Sequence, residues 1–197
     1  MDFLSIIEEY SRQLEILGFC IGVLYLWWEY HANAKVWIAS VIMPAINMWV
    51  YYYKGLYADF AINIYYLLIA VYGYLAWTFS FTQKKQLEIT HTSTAVAVRL
   101  ALLFILLWTG IAALLIYCTD STVPWTDAFT TALSIVGLWM LARKYVEQWL
   151  VWMVVDAVCV WLYVYKGLYL YAVLYAVYTV IAILGYRKWI RIMNKRQ

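Results

Sequence analysis

The chain has 197 residues, of which 67% are hydrophobic, 20% aromatic and only 13% charged, with a formal net charge of +3 and a mean hydropathy of +0.75. Soluble domains run near about 45–50% apolar and about 25% charged, so a soluble domain of this size would leave most of its apolar side chains in water. Disorder is excluded by the same balance, and the composition is that of an integral membrane protein.

A helix needs about 20 apolar residues to cross the hydrocarbon layer. Seven stretches qualify: Leu14–Tyr30, Val36–Tyr53, Tyr57–Thr78, Val96–Cys118, Asp127–Ala142, Val146–Tyr165 and Leu168–Tyr186. Their apolar runs are continuous and lack the alternation of a barrel strand. Most connections are tight; Lys54-Gly55 and Lys166-Gly167 break neighbouring helices because glycine permits the reversal. The longer loops are Phe79–Ala95 and Thr119–Thr126. The amino terminus, Met1-Asp2 with Glu8 and Glu9, is unlike a cleaved signal peptide.

Seven spans divide the basic residues by side: Arg12, Lys54 and Lys166 on one face, the other eleven of fourteen on the opposite one. Basic residues collect on the cytoplasmic face, so the amino terminus is expected outside and the carboxyl terminus inside.

A shift of 112 residues lays the chain on itself without gaps: Lys54-Gly55-Leu56-Tyr57 falls on Lys166-Gly167-Leu168-Tyr169, and Trp27, Trp37, Trp49 and Trp77 on Trp139, Trp149, Trp161 and Trp189. Between Leu26–Trp77 and Leu138–Trp189 there are 17 identities in 52 positions. The reading is one all-α membrane domain over 1–197, with a three-helix repeat at 14–78, a linking helix at 96–118 and a second repeat at 127–190. Three helices plus a link return the chain to its starting side, so this 3+1+3 arrangement makes the repeats parallel, as in carriers with a substrate path between two such bundles.

Asp156 stands near the centre of the sixth span, where an acid costs about 2.5–3.5 kcal/mol on insertion scales unless it faces the bundle interior. Trp149, Trp152 and Asp156 share one helical face, and Gln148 widens it. Two indoles beside a carboxylate suit a flat cation through stacking, cation–π attraction and charge pairing; the alternative is an acid bonded to another helix with the tryptophans as packing. Asp59, Asn63 and Tyr66 form a polar face on the third span, Tyr175 is the repeat counterpart of Asn63 on the seventh, and Asn47 follows Pro44 on the second. Asp59 lies near the outer end, where hydration alone would account for it, and Pro44 reads equally as a kink. The basic stretch Arg187–Arg196 reads as an anchor to lipid headgroups and not as a nucleic-acid surface.

The three cysteines, Cys20, Cys118 and Cys159, stand apart in apolar stretches and read as buried thiols, and His31 and His91 lack partners at ligand spacing. No metal site, cofactor or acid–base constellation is expected, nor is a phosphate loop that would mark an ATP-driven pump. The reading is a transporter and not an enzyme; the remote alternative is a non-transporting membrane sensor or scaffold.

The stretches Leu133-Ser134-Ile135-Val136, Ala142-Arg143-Lys144-Tyr145-Val146-Glu147-Gln148-Trp149-Leu150-Val151-Trp152, Tyr165-Lys166-Gly167-Leu168-Tyr169, Gly185-Tyr186-Arg187-Lys188-Trp189 and Tyr72-Gly73-Tyr74-Leu75-Ala76-Trp77 resemble the PnuC family of vitamin transporters. The resemblance covers essentially the whole chain. It implies an uncoupled facilitator in the bacterial inner membrane that admits a vitamin lacking phosphate, which a cytosolic kinase then traps; it also allows a homotrimer. Members of the family carry nicotinamide riboside, thiamine or riboflavin. The nicotinamide riboside pattern has Asn where this chain has Gln148 and Asp156, Gln where it has Asn63, and Asn where it has Ala70. Those departures favour a resemblance to the thiamine branch, PnuT, because a carboxylate suits the thiazolium charge and the aminopyrimidine. Nicotinamide riboside, also a cation, is the alternative, and riboflavin has least use for Asp156.

Overall fold

In a computed structural model the described residues are 11–53, 57–79, 87–167 and 169–195. The apolar runs form seven helices there: α1 (Ser11–Tyr30), α2 (Val36–Tyr53), α3 (Tyr57–Thr78), α4 (Thr94–Cys118), α5 (Pro124–Ala142), α6 (Gln148–Tyr165) and α7 (Tyr169–Asn194). Among the described residues, α4, α5, α6 and α7 from Ala172 onward are long and apolar enough to cross a bilayer. Leu102, Ile105 and Leu106 point outward from α4, as a helix facing hydrocarbon requires.

The chain divides into two compact units, Met1–Gln86 and Leu87–Gln197. In the first, α1 packs on α2 and α2 on α3. In the second, α5 packs on α6 and α6 on α7, and α4 packs on α5. The α4–α5 seam holds Leu100, Val136 and Met140, with Phe104 and Trp108 edge-on to Phe129. The helix expected as a link is thus part of the second unit's core.

The 112-residue shift seen in the sequence recurs in the backbone. It carries the end of α1 onto the end of α5, both ends of α2 onto those of α6, and the start of α3 onto the start of α7. The turns after α1 and α5 repeat bond for bond. Ala32 N–H donates to Glu29 and Asn33 N–H to Trp28, as Lys144 N–H does to Leu141 and Tyr145 N–H to Met140. This is a Schellman closure, which needs a left-handed residue at its corner; Ala32 (φ 50°) and Lys144 (φ 54°) take that conformation although neither is glycine. No residue in 31–36 is identical to its counterpart in 143–148, so the geometry persists where the sequence has diverged. Gly167 is left-handed as well (φ 72°), the reversal expected after α6; Lys54-Gly55 lies outside the described residues.

A matched wedge closes each unit. Trp37 on α2 seats on Gly73 of α3, edge-on to Trp77 at 5.6 Å and 87°. Trp149 on α6 seats on Gly185 of α7, edge-on to Trp189 at 5.7 Å and 88°. All four rings are buried. Edge-to-face contact of this kind adds about 0.5–1.5 kcal/mol beyond area burial, and the missing Cβ is what lets the helices approach.

Among the described residues, the second unit carries a feature not found in the first. Residues 87–92 cross the α5–α6 turn: Thr90 N–H donates to Lys144 O and Val146 N–H to Thr90 O, and Lys144 Nζ donates to Leu87 O at 2.9 Å. The Glu147 carboxylate accepts from His91 Nδ1 (2.6 Å), Thr92 N–H (2.9 Å) and Thr92 Oγ1 (2.8 Å). His91 thus pairs with a carboxylate 56 residues away in sequence. Burial raises the Glu147 pKa, but the hydrogen bonds from His91 and Thr92 outweigh it and leave the group below its ordinary value of 4.5. A carboxylate depressed in the fold stabilises above its unfolded pKa and loses that contribution as pH falls through the folded one. Glu147→Gln is therefore expected to flatten the loss of thermal stability below pH 4.5, read by melting curves of detergent-purified protein against pH. An unchanged acid limb would show that the strap contributes nothing.

Of the cysteines, Cys159 is buried as expected, whereas Cys118 is exposed at the end of α4. The correction is physical: a thiol at the last turn of an outward-facing helix has no neighbour to cover it. The side chain of Cys20 lies outside the described residues.

Candidate functional site

The expected site residues fall on two pairs of helices. Asn63 and Tyr66 stand on α3 of the first unit, Asn63 buried and Tyr66 half-buried beside Tyr65. The backbones of Asn47 and Asp59 are helical in α2 and α3, but their side chains lie outside the described residues. In the second unit Gln148, Trp149, Trp152 and Asp156 stand on α6, and Tyr175 on α7.

On α6 the buried stripe runs through Gln148, Trp149, Val155, Asp156, Cys159 and Leu162. Trp152 lies within that arc, its ring packed on Gly137 of α5. Gln148 is 0% exposed, and neither its Oε1 nor its Nε2 has a hydrogen-bond partner among the described residues. The indole N–H groups of Trp149 and Trp152 are buried and unpartnered in the same way. Buried polar groups are nearly always bonded, so each exception calls for an explanation, such as an absent ligand.

The repeat separates what is architectural from what is particular to this face. Trp37 repeats Trp149 in seat, edge-on partner and unpartnered N–H, so those traits of Trp149 belong to the wedge. The rest differs. Gln148 takes the place of Val36, which is also 0% exposed. Trp152 takes the place of Ser40, whose hydroxyl is satisfied by Val36 O at 2.9 Å. Asp156 takes the place of Pro44. Three positions one turn apart on a common face are thus apolar or self-satisfied in one unit, and in the other an amide, an indole N–H and an acid.

Asp156 is 6% exposed, at the ninth of the eighteen positions of α6. It lies within electrostatic reach of Cys159, Tyr175 and Tyr178. Tyr175 shares a hydrogen bond with Tyr163, and their rings are 5.1 Å apart. Among the described residues no hydrogen bond or cation reaches the Asp156 carboxyl. Gln148 and Asp156 are separated by about 12 Å along the helix axis, a span a nucleoside-sized molecule bridges.

The wedge glycines have a signal in the sequence, since Gly73 and Gly185 recur at the same 112-residue shift as Trp37 and Trp149, but spacing alone does not say that glycine and ring touch. The Glu147–His91 strap had no comparable signal, since neither residue repeats.

Comparison with known proteins bears on the whole of this architecture. A solved structure of the vitamin B3 transporter PnuC shares the fold with a TM-score of 0.71 at 17% identity, covering 98% of this chain and 87% of that one. The nicotinamide riboside transporters PnuC of Escherichia coli (strain K12) and Shigella flexneri are each 25% identical over 202 residues, covering 90% of this chain and 82% of theirs. A family model described as nicotinamide mononucleotide transporter matches residues 12–191. The chain therefore belongs to that transporter family, the PnuC family, whose members are multi-pass membrane carriers and not enzymes.

Proposed function

We propose that this protein carries nicotinamide riboside inward across a bacterial inner membrane by facilitated diffusion, binding it along α6 at Gln148, Trp152 and Asp156 with Trp149 holding the helix in place. The relatives named above are nicotinamide riboside transporters, which moves the reading from the thiamine expected on sequence to what had been its alternative. The chemistry suits that ligand. The Gln148 amide offers a donor and an acceptor to a carboxamide, Trp152 offers a ring face and an N–H, and Asp156 offers a charge to the pyridinium. Asn63, Tyr66 and Tyr175 are further candidates for ribose hydroxyls, as are Asn47 and Asp59 by position. Thiamine is the second reading, favoured by Asp156 alone, whose carboxylate would take an aminopyrimidine as well as a thiazolium. Riboflavin, neutral and larger, leaves Asp156 without a role.

The same proposal takes the two units' matching helices as a duplicated repeat, with the amino terminus outside, as the basic residues suggest, and a cytosolic kinase trapping the product. A homotrimer remains a proposal on family grounds.

One observation carries the reading: an amide buried without partners among the described residues, at the position where the first unit buries Val36. Gln148→Leu keeps the volume and removes the orphaned groups, each of which costs about 1–3 kcal/mol when left unsatisfied. The variant is expected to melt higher than the parent and to lose binding of nicotinamide riboside, read by thermal unfolding and calorimetric titration in detergent. Unchanged binding would remove Gln148 from the site.

A further inference from the structure

We infer that Gly137 is a positioning residue for the substrate: with no side chain on α5 at that point, the Trp152 indole lies back against the helix, and this sets the depth at which an aromatic ligand stacks on α6. The role rests on the reading that the ligand docks at Gln148, Trp152 and Asp156. Gly137 is buried inside α5. An added Cβ would stand 3.0 Å from Val151 Cγ1 and 3.5 Å from Cε2 and Cζ2 of Trp152. The ring edge facing α5 is therefore the one that adjoins the buried, unpartnered indole N–H. A methyl group fits there in ordinary contact with the ring, but a branched side chain cannot avoid both the ring and Val151.

The repeat ties the glycine to the indole. The 112-residue shift pairs Gly137 with Tyr25, Val151 with Ala39 and Trp152 with Ser40. In the first unit the bulky residue stands on α1 and the two small ones on α2; in the second unit the small residue stands on α5 and the two bulky ones on α6. Glycine inside a helix is destabilising relative to alanine, and Tyr25 shows that the matching helical position accepts a large side chain. The glycine is required only where the facing helix brings a tryptophan. The two rings also differ in their polar tips. The Tyr25 hydroxyl is bonded to Glu29 on its own helix, and Leu141, fully buried, takes the place of that acid in the second unit. The Trp152 N–H has no partner among the described residues. The second unit thus carries its ring on α6, one turn from Gln148 and one from Asp156, with the N–H left to a ligand. A ring driven off α5 would lose its alignment with both neighbours, and binding groups tolerate little displacement.

Calorimetric titration of the detergent-purified full chain with nicotinamide riboside tests the role, with thermal unfolding measured on the same samples. Gly137→Ala is expected to keep affinity within about threefold of the parent, and Gly137→Val to lower it roughly tenfold or more. Trp152→Phe keeps a ring face for the ligand and vacates space beside α5. In that background the valine is expected to cost about threefold or less, a coupling of the size found between residues in contact. Val136→Ala opens a cavity in the neighbouring α4–α5 seam and is expected to lower the melting temperature at unchanged affinity. Where Gly137→Val yields no folded protein, Gly137→Cys, one atom past the methyl, takes its place in both backgrounds. Parental affinity in the larger variant, an equal loss with and without Trp152, or an affinity that simply follows melting temperature across the variants overturns the positioning role and leaves the site standing. If the unsubstituted chain binds neither nicotinamide riboside nor thiamine, the site and the role fall together.

Discussion

Gly185→Ala is expected to destabilise the second unit severely, and Gly73→Ala the first, while alanine at Gly22 or Gly110 is tolerated. A Cβ at Gly185 would stand 2.7 Å from the Trp149 ring, and one at Gly73 closer still to Trp37; at Gly22 and Gly110 nothing lies within 4 Å. The obstacle in both wedges is a flat ring held on its other edge by Trp189 or Trp77, so it cannot swing aside as a flexible side chain would. Overpacking costs about 1–3 kcal/mol and occasionally more, whereas replacing an open helical glycine by alanine gains up to about 1 kcal/mol in propensity. Melting temperatures of the four purified variants check this. Adding Trp149→Phe to Gly185→Ala is expected to restore part of the loss, because the two residues share one space. Equal behaviour of all four glycines would show that the wedge is not what holds the helices.

Asp156→Ala and Trp152→Ala are expected to abolish measurable binding of nicotinamide riboside while the protein stays folded. Truncating one partner of a desolvated charge pair costs about 2–5 kcal/mol in affinity, roughly two orders of magnitude or more. Stability responds differently, since an unpaired acid inside an apolar helix contributes nothing to the fold and its removal relieves a desolvated group. Calorimetric titration reads the first effect and thermal unfolding the second. Trp149→Ala is the contrasting variant: it empties the seat over Gly185, so it loses fold and binding together. Parental affinity in both Asp156→Ala and Trp152→Ala would place the substrate elsewhere.

Much of the architecture was legible before any coordinates. Val36–Tyr53 and Tyr57–Thr78 take in the fold the bounds expected of them, and the other helices agree within three residues except at the end of α7, which runs past the expected Tyr186 to Asn194; continuous apolar runs ended by Lys-Gly or polar turns leave little choice of element, whereas the basic, polar end of α7 hid its continuation. The face bearing Gln148, Trp152 and Asp156 followed from helical spacing. What spacing could not do was divide the tryptophans. Trp149 and Trp152 look alike in a helical projection, yet one is locked on Gly185 with a twin at Trp37, and the other stands where the twin unit has a serine. Nor could composition foresee the exposure of Cys118, since an apolar neighbourhood in sequence does not say whether protein or lipid lies beside the helix.

The sequence by itself determined the membrane class, the seven helices, the 112-residue repeat and the family, because hydropathy, helical period and recurring motifs are properties of local segments and survive in a string of letters. Tertiary structure alone decided the rest. It placed α4 in the core of the second unit, preserved a Schellman turn where no residue is shared, and strapped residues 87–92 across that turn through Glu147. It also showed which buried polar atoms of α6 lack partners. Each of these depends on what lies across from a residue in space, and contacts between segments 36 to 57 residues apart leave no periodic trace for the sequence to carry.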